Sequence, residues 1–216
     1  MHDATALRVP PILSKIQDDL EELYRLDHTL DVNDFVLPKS SVDAPLDRLE
    51  QVLVSSNEEE LAMSLVLDDS LMVPGLEWNL NRFCAATEGV SHVLYLANAA
   101  QRGQRISAFE LELQAEIDKF LMLVTAVGME CRDALKRLFM VYRLDAGIVD
   151  EEEMERYHRA NRTAWTFCRR IATRFLGTRR ADQRMECLLR EVREVYRMRG
   201  TSKLERLSGY RLVGDR

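Results

Sequence analysis

Apolar residues recur along this chain at two different spacings. In "PPILSKIQDDLEELYRL" the residues Ile12, Ile16, Leu20 and Leu23 fall on one stripe, three to four positions apart, and the prolines before them suit a helix start. Farther on the spacing shortens. "VNDFVLP" is short, extended and closed by Pro38. Leu61, Met63 and Leu65 alternate with Ala62, Ser64 and Val66, close to a period of two, and the turn-like "NEEE" separates this run from "QVLVSS". The pattern predicts a β-hairpin over about residues 50–68, with 33–37 as a candidate third strand. A two-stranded ribbon alone is marginal, so it must pack on helices.

From Leu80 onward the spacing is helical. A long apolar segment runs over 79–101. "ISAFELELQAEIDKFLMLVTAVG" starts at a cap on Ser107 and stops near Gly128, and "CRDALKRLFMVYRL" follows. A helix over about 150–176 opens with the acidic run "DEEEME", which suits the positive end of a helix dipole. Another helix covers 181–199, and a short one begins at Thr201. The expected fold is mostly α with a minor β part: a bundle of five to six helices carrying a small N-terminal β-hairpin element. No repeat, low-complexity tract or Pro/Gly/Ser linker divides the chain. It reads as one domain over 1–216, with an N-terminal helix in 1–30, the hairpin element in 31–70 and the bundle in 78–208.

Composition supports this picture. Of the 216 residues, 46% are hydrophobic and 31% charged, enough apolar side chains for a sizeable core. The N-terminus has no basic region followed by an apolar run, and the most apolar window, 120–129, is about half the length that crosses a bilayer. Membrane partners are not expected. Cys84, Cys131, Cys168 and Cys187 are far apart and form no Cys-x-x-Cys, which reads as reduced cysteines in a cytoplasmic protein. Met122, Met140 and Met185 occupy helical core positions and read as gap fillers.

Two carboxylate–imidazole pairs raise the question of metal. Glu155 and His158 are three positions apart, and Glu88 and His92 are four apart. Either spacing puts both side chains on one side of a helix. Paired Glu-x-x-His helices, with a further Glu from each of two others, hold carboxylate-bridged di-metal centres. Helical phase argues against such a centre here. Glu88 and His92 project away from the main apolar face of their helix, so a buried site there needs a second packing layer. Glu155 points outward, placed to pair with Arg159 at i+4. Glu116 lies at the edge of its apolar stripe with Glu112 one turn earlier, and its simplest partner is Lys119. A Glu/His metal site of Glu112, Glu116, His92 and His158 is therefore a minor alternative, and no cofactor is expected. No Gly-rich phosphate loop, G-x-S-x-G elbow or thiolate-activating motif appears.

The strongest non-generic feature is the charge layout. Residues 156–216 carry 17 Lys and Arg against 6 Asp and Glu, a net of about +11, whereas residues 1–155 sum to about −17. Eight arginines lie in 156–181 with no acid among them: Arg156, Arg159, Arg162, Arg169, Arg170, Arg174, Arg179 and Arg180. The arginine fork suits carboxylate and phosphate. The main expectation is a non-enzymatic interaction or adaptor protein. It would use this Arg-rich helix face to bind an acidic protein surface or to self-associate as a homo-oligomer. Nucleic-acid binding through the same arginines is the first alternative, weakened by the overall charge of −6 and by Trp165, Phe167 and Phe175 lying on the core side. The metal-dependent helical-bundle enzyme is the second.

Overall fold

Pro11 opens the first helix, α1 (Pro11–Tyr24), of a computed structural model that describes residues 10–27, 30–43, 48–56, 61–73, 79–140, 150–176 and 181–209. Of the predicted stripe, Ile16, Leu20 and Leu23 are buried and Ile12 is partly buried, Leu13 joining the buried face instead, and the helix ends at Arg25 in the left-handed region. The chain then folds back on α1. Gln17 accepts from the Val32 amide at 2.8 Å and donates to the Leu30 carbonyl at 2.8 Å.

The β part is a three-stranded sheet. Strand β1 (Val36–Pro38) runs parallel to β3 (Leu61–Leu67), and β2 (Glu50–Ser56) runs antiparallel to it. The hairpin is where the alternation predicts it. The third strand is shorter and later than 33–37, because Val32–Phe35 forms a tight helical turn, with the Asp31 side chain accepting from the Asn33 amide. The central strand is β3, whose Leu65, Val66 and Leu67 are all buried.

Helix α2 (Leu80–Gln101) is capped by Asn79, and α3 (Ala108–Thr125) by a reciprocal pair between Ser107 and Glu110. A short α4 (Cys131–Leu135) passes into a wider π-helical turn at Lys136–Met140. Helix α5 (Glu151–Ile171) is capped by Asp150 and continues as a π-helical turn over Ala172–Leu176. Helices α6 (Ala181–Arg197) and α7 (Gly200–Ser208) follow. The described residues thus hold seven α-helical segments, one more than the upper expectation once the short α4 is included. No helix is long and apolar enough to cross a membrane among them.

The core explains this order. Helix α3 packs between α2 and α5; α1 lies along α2 and α6, α7 lies on α5, and the sheet leans on α2. Arg193 of α6 donates to the Leu23 and Glu22 carbonyls at the end of α1, at 2.7 and 3.2 Å, adding to the Arg25 amide that already donates to Glu22. Met122 is buried, but Met140 and Met185 are exposed rather than in the core, Met140 on the turn that ends the described part of its segment. The four cysteines are free thiols, Cys168 fully buried.

One polar network lies inside the bundle. Lys203 of α7 is fully buried and donates to the Tyr95 hydroxyl and the Gln114 side-chain oxygen, both at 2.7 Å. Gln114 in turn donates to Asp118, which also accepts from Ser91 and from the Tyr24 hydroxyl. Burial lowers the Lys203 ammonium to about 7 and lifts Asp118 to about 6, against the pull of its hydrogen-bond donors.

Gly89 allows the sheet to approach α2. A Cβ there would come within 2.5 Å of Leu65 Cδ1 and 3.3 Å of Glu50 Oε2, so the buried Leu65 side chain would have to shift. Gly89→Val is expected to lower stability by about 1–3 kcal/mol through overpacking, read from the urea midpoint. An unchanged midpoint would mean that the sheet does not press on this helix.

A buried glutamate–histidine cluster as candidate metal centre

Helices α2 and α3 face each other with their ionisable side chains turned inward. Glu88 and His92 are one turn apart on α2, and Glu112 and Glu116 one turn apart on α3, with Lys119 on the same side. Glu50, the first residue of β2, enters from the sheet. The second packing layer that helical phase required is present. The sheet and α3 together cover the side of α2 opposite its main apolar stripe, so His92 is only 4% exposed and Glu116 likewise 4%.

The atoms are close. One ligand atom from each of Glu88, His92 and Glu112 lies within 4.8 Å of the other two. His92 Nε2 is 3.8 Å from Glu112 Oε2, and Nδ1 is 3.9 Å from Glu50 Oε2, both too long for a hydrogen bond. The Lys119 ammonium donates to Glu88 Oε2 at 2.7 Å and to Glu116 Oε1 at 2.9 Å. Glu50 Oε2, His92 Nε2 and Glu116 Oε2 are buried without a hydrogen-bond partner in the chain. Buried polar groups are nearly always paired, so three orphans in one cluster need a physical reason.

Electrostatics points the same way. Burial, reinforced by the neighbouring Glu88 carboxylate, lifts Glu112 to about 8. Burial also raises Glu116, and it raises Glu50 well above the usual carboxylate range with help from Glu88 and Glu112. Glu88 is the exception: burial, the largest cause, pushes it up, but Lys119 together with His92 and Arg48 outweighs this and holds it low. Burial brings the His92 imidazole down to about 4, leaving it neutral at ordinary pH, the form that ligates metal. The cluster therefore holds more carboxyl groups than one lysine can neutralise, and protons make up the difference when no other cation is bound.

The donor set is oxygen with one imidazole nitrogen. Cys84, one turn before Glu88, adds no thiolate: burial pushes its thiol up to about 11. Such donors suit manganese, iron(II) or zinc better than copper(I) or an iron–sulfur cluster. At the rim, Arg48 donates to the Tyr157 hydroxyl at 3.1 Å and to Glu153 at 2.8 Å, fastening the start of β2 to α5. Asn161, whose Nδ2 is buried, stands beside Glu116 and helps to lower its carboxyl.

Three of the four residues of the sequence-derived alternative, His92, Glu112 and Glu116, are thus together, joined by Glu88. The fourth, His158, is not. It is exposed on α5, because Tyr157, one position earlier, takes the inward direction. Glu155 is exposed too and reaches Arg162, at 3.7 Å, rather than Arg159. Glu50 was not visible in the sequence, since it is non-local and depends on the close approach at Gly89.

The arginines of α5 part into two groups. Arg170 donates to the Arg206 carbonyl at 2.8 Å and lies 3.6 Å from Glu191, and Arg174 is 3.7 Å from the same carboxylate. Arg156 is half-buried between Glu153 and the Tyr157 ring. Arg159, Arg162 and Arg169 are exposed, Arg159 over the Phe109 ring and Arg169 over Trp165. Arg179 and Arg180 lie outside the described residues.

Neither the protein-family models, nor the curated proteins, nor the solved structures offer a match to this chain. Function therefore has to be read from the site itself.

The Glu112 proton sets a pH test. Its folded value of about 8 lies above the ordinary 4.5, so across that window the metal-free folded chain holds a proton the unfolded chain has lost. Its contribution to stability is present below about 4.5 and is lost as pH rises through about 8. Between pH 5 and 8, in chelator, the native chain should lose stability relative to Glu112→Gln by up to about 1.4 kcal/mol per pH unit. Parallel pH curves for the two proteins would show that Glu112 is ionised throughout.

Proposed function

We propose that this chain is a metal-binding helical protein whose centre is built by Glu88, His92 and Glu112, with Glu50 and Glu116 beside them. One observation carries the reading: ligand atoms of two carboxylates and a neutral imidazole converge within 4.8 Å in the interior, and the His92 Nε2 facing Glu112 has no partner in the chain. A purely structural ion-pair network explains Lys119 with Glu88 and Glu116, but not the imidazole left unpaired beside Glu112, whose carboxyl burial lifts to about 8. A divalent ion would satisfy those atoms together and displace the Glu112 proton. The preferred ion is manganese, iron(II) or zinc.

Protein purified without chelator and loaded with each ion in turn should retain about one ion per chain after desalting, with His92→Ala and Glu112→Gln each weakening binding tenfold or more. Native protein that retains far less than one equivalent of all three would end the metal reading.

A second reading has its own support. Arg159, Arg162 and Arg169 are exposed along one side of α5, whereas Arg170 and Arg174 are engaged with α6 and α7. We infer that this outer side docks on an acidic protein surface or on a second copy of the chain. Replacing the three by Ala should leave the circular dichroism spectrum unchanged and abolish salt-sensitive association in light scattering. Association that persists in the triple variant would remove the arginines from it.

A further inference from the structure

Lys119 has a position that the metal reading alone does not require. Its ammonium is buried, 4% exposed, and bridges Glu88 and Glu116 with two charge-assisted hydrogen bonds of 2.7 and 2.9 Å. Glu88 belongs to both halves of the cluster. It contributes to the group with His92 and Glu112, and its Oε2 accepts from Lys119. A carboxylate shared in this way is what bridges two cations in a di-metal carboxylate centre, where four glutamates and two histidines from a helical bundle hold the ions. Here the cluster has four glutamates, Glu50, Glu88, Glu112 and Glu116, but a single histidine, and a lysine stands on the far side of the shared carboxylate.

We propose that Lys119 is the built-in second cation of this centre. Its ammonium takes the place of a second metal ion between Glu88 and Glu116, so the chain binds a single ion, at Glu88, His92 and Glu112. The proposal rests on the metal reading and specifies how many ions that site takes. Physically, a fixed ammonium repels any cation approaching the Glu116 side and cannot dissociate from its helix. It neutralises one charge where a divalent ion would neutralise two, and burial raises the Glu116 carboxyl against the pull of Lys119. The arrangement favours a mononuclear centre with an unchanging charged neighbour over a pair of exchangeable ions.

The test uses manganese(II) and the full chain. Native protein and Lys119→Ser are each loaded to saturation, desalted and assayed for metal, and the bound ion is examined by electron paramagnetic resonance. The expected result is about one ion per native chain with the spectrum of an isolated ion, and about two per chain in Lys119→Ser with the spectrum of a coupled pair. Lys119→Gln, which removes the charge but keeps most of the length, substitutes if the serine variant does not fold by circular dichroism. About one ion in both native protein and the variant would overturn the role of Lys119 and leave the metal centre standing. So would two coupled ions in the native chain. No manganese, iron or zinc in the native chain would overturn the centre itself, and this proposal with it.

Discussion

Everything in this fold depends on burying α3 on all sides. The helix carries Glu110, Glu112, Gln114, Glu116, Asp118 and Lys119, and every one of them is buried. An isolated ionised carboxylate is very costly to remove from water, so each of these groups must find a partner, a proton or a cation. Stepping along the helix, Glu112, Glu116 and Lys119 fall on one side, and Glu110, Gln114 and Asp118 on the opposite side. Glu110 is satisfied by the Ser107 cap and by the Gly200 amide, which donates at 2.7 Å and seats the start of α7. Gln114 and Asp118 are satisfied by Lys203, Ser91 and the tyrosines of the surrounding helices. The neighbours of α3 are placed where its polar groups need them.

The two sides are solved differently, and the difference locates the site. On the Asp118 side one network of hydroxyls, an amide and a lysine leaves Asp118 fully bonded, and Tyr24 and Tyr196 stack with ring centroids 4.0 Å apart beside it, the Tyr196 hydroxyl being left without a partner. On the Glu112 side, carboxyls outnumber the ammonium and three polar atoms are left without partners. A satisfied network rigidifies a core, whereas a partly satisfied one is costly unless something else completes it. The surplus of carboxyl groups over ammonium on the Glu112 side is what supports placing the proposed metal site there.

Much of the fold was legible from spacing and caps. Asn79, Ser107 and Asp150 cap their helices because each offers a short oxygen-bearing side chain to the first free amides; Ser107 was readable as a cap in the sequence, and the 150–176 helix was readable from the acidic run that opens it. The hairpin was legible from its period of two. The site was legible in fragments. Glu112 with Glu116, and Glu88 with His92, could be paired within their helices, but helical phase cannot say what covers a second face. The covering sheet is brought in by Gly89, a residue whose missing side chain leaves no trace in a hydrophobic pattern. His158 was misplaced because a shift of one position on a helix turns a side chain by about 100°, and Tyr157 took the inward direction. Lys203 could not have been foreseen as buried, since "GTSKLERLS" reads as an ordinary amphipathic surface helix.

The proposed metal ion would sit between α2 and α3. Crystals grown with manganese, and measured at wavelengths either side of its absorption edge, test this placement most directly. It requires an anomalous peak about 2–2.3 Å from His92 Nε2, with carboxylate oxygens of Glu88 and Glu112 completing the coordination. A fully ordered cluster with no anomalous density in it, and His92 Nε2 bonded to a protonated Glu112, would contradict it.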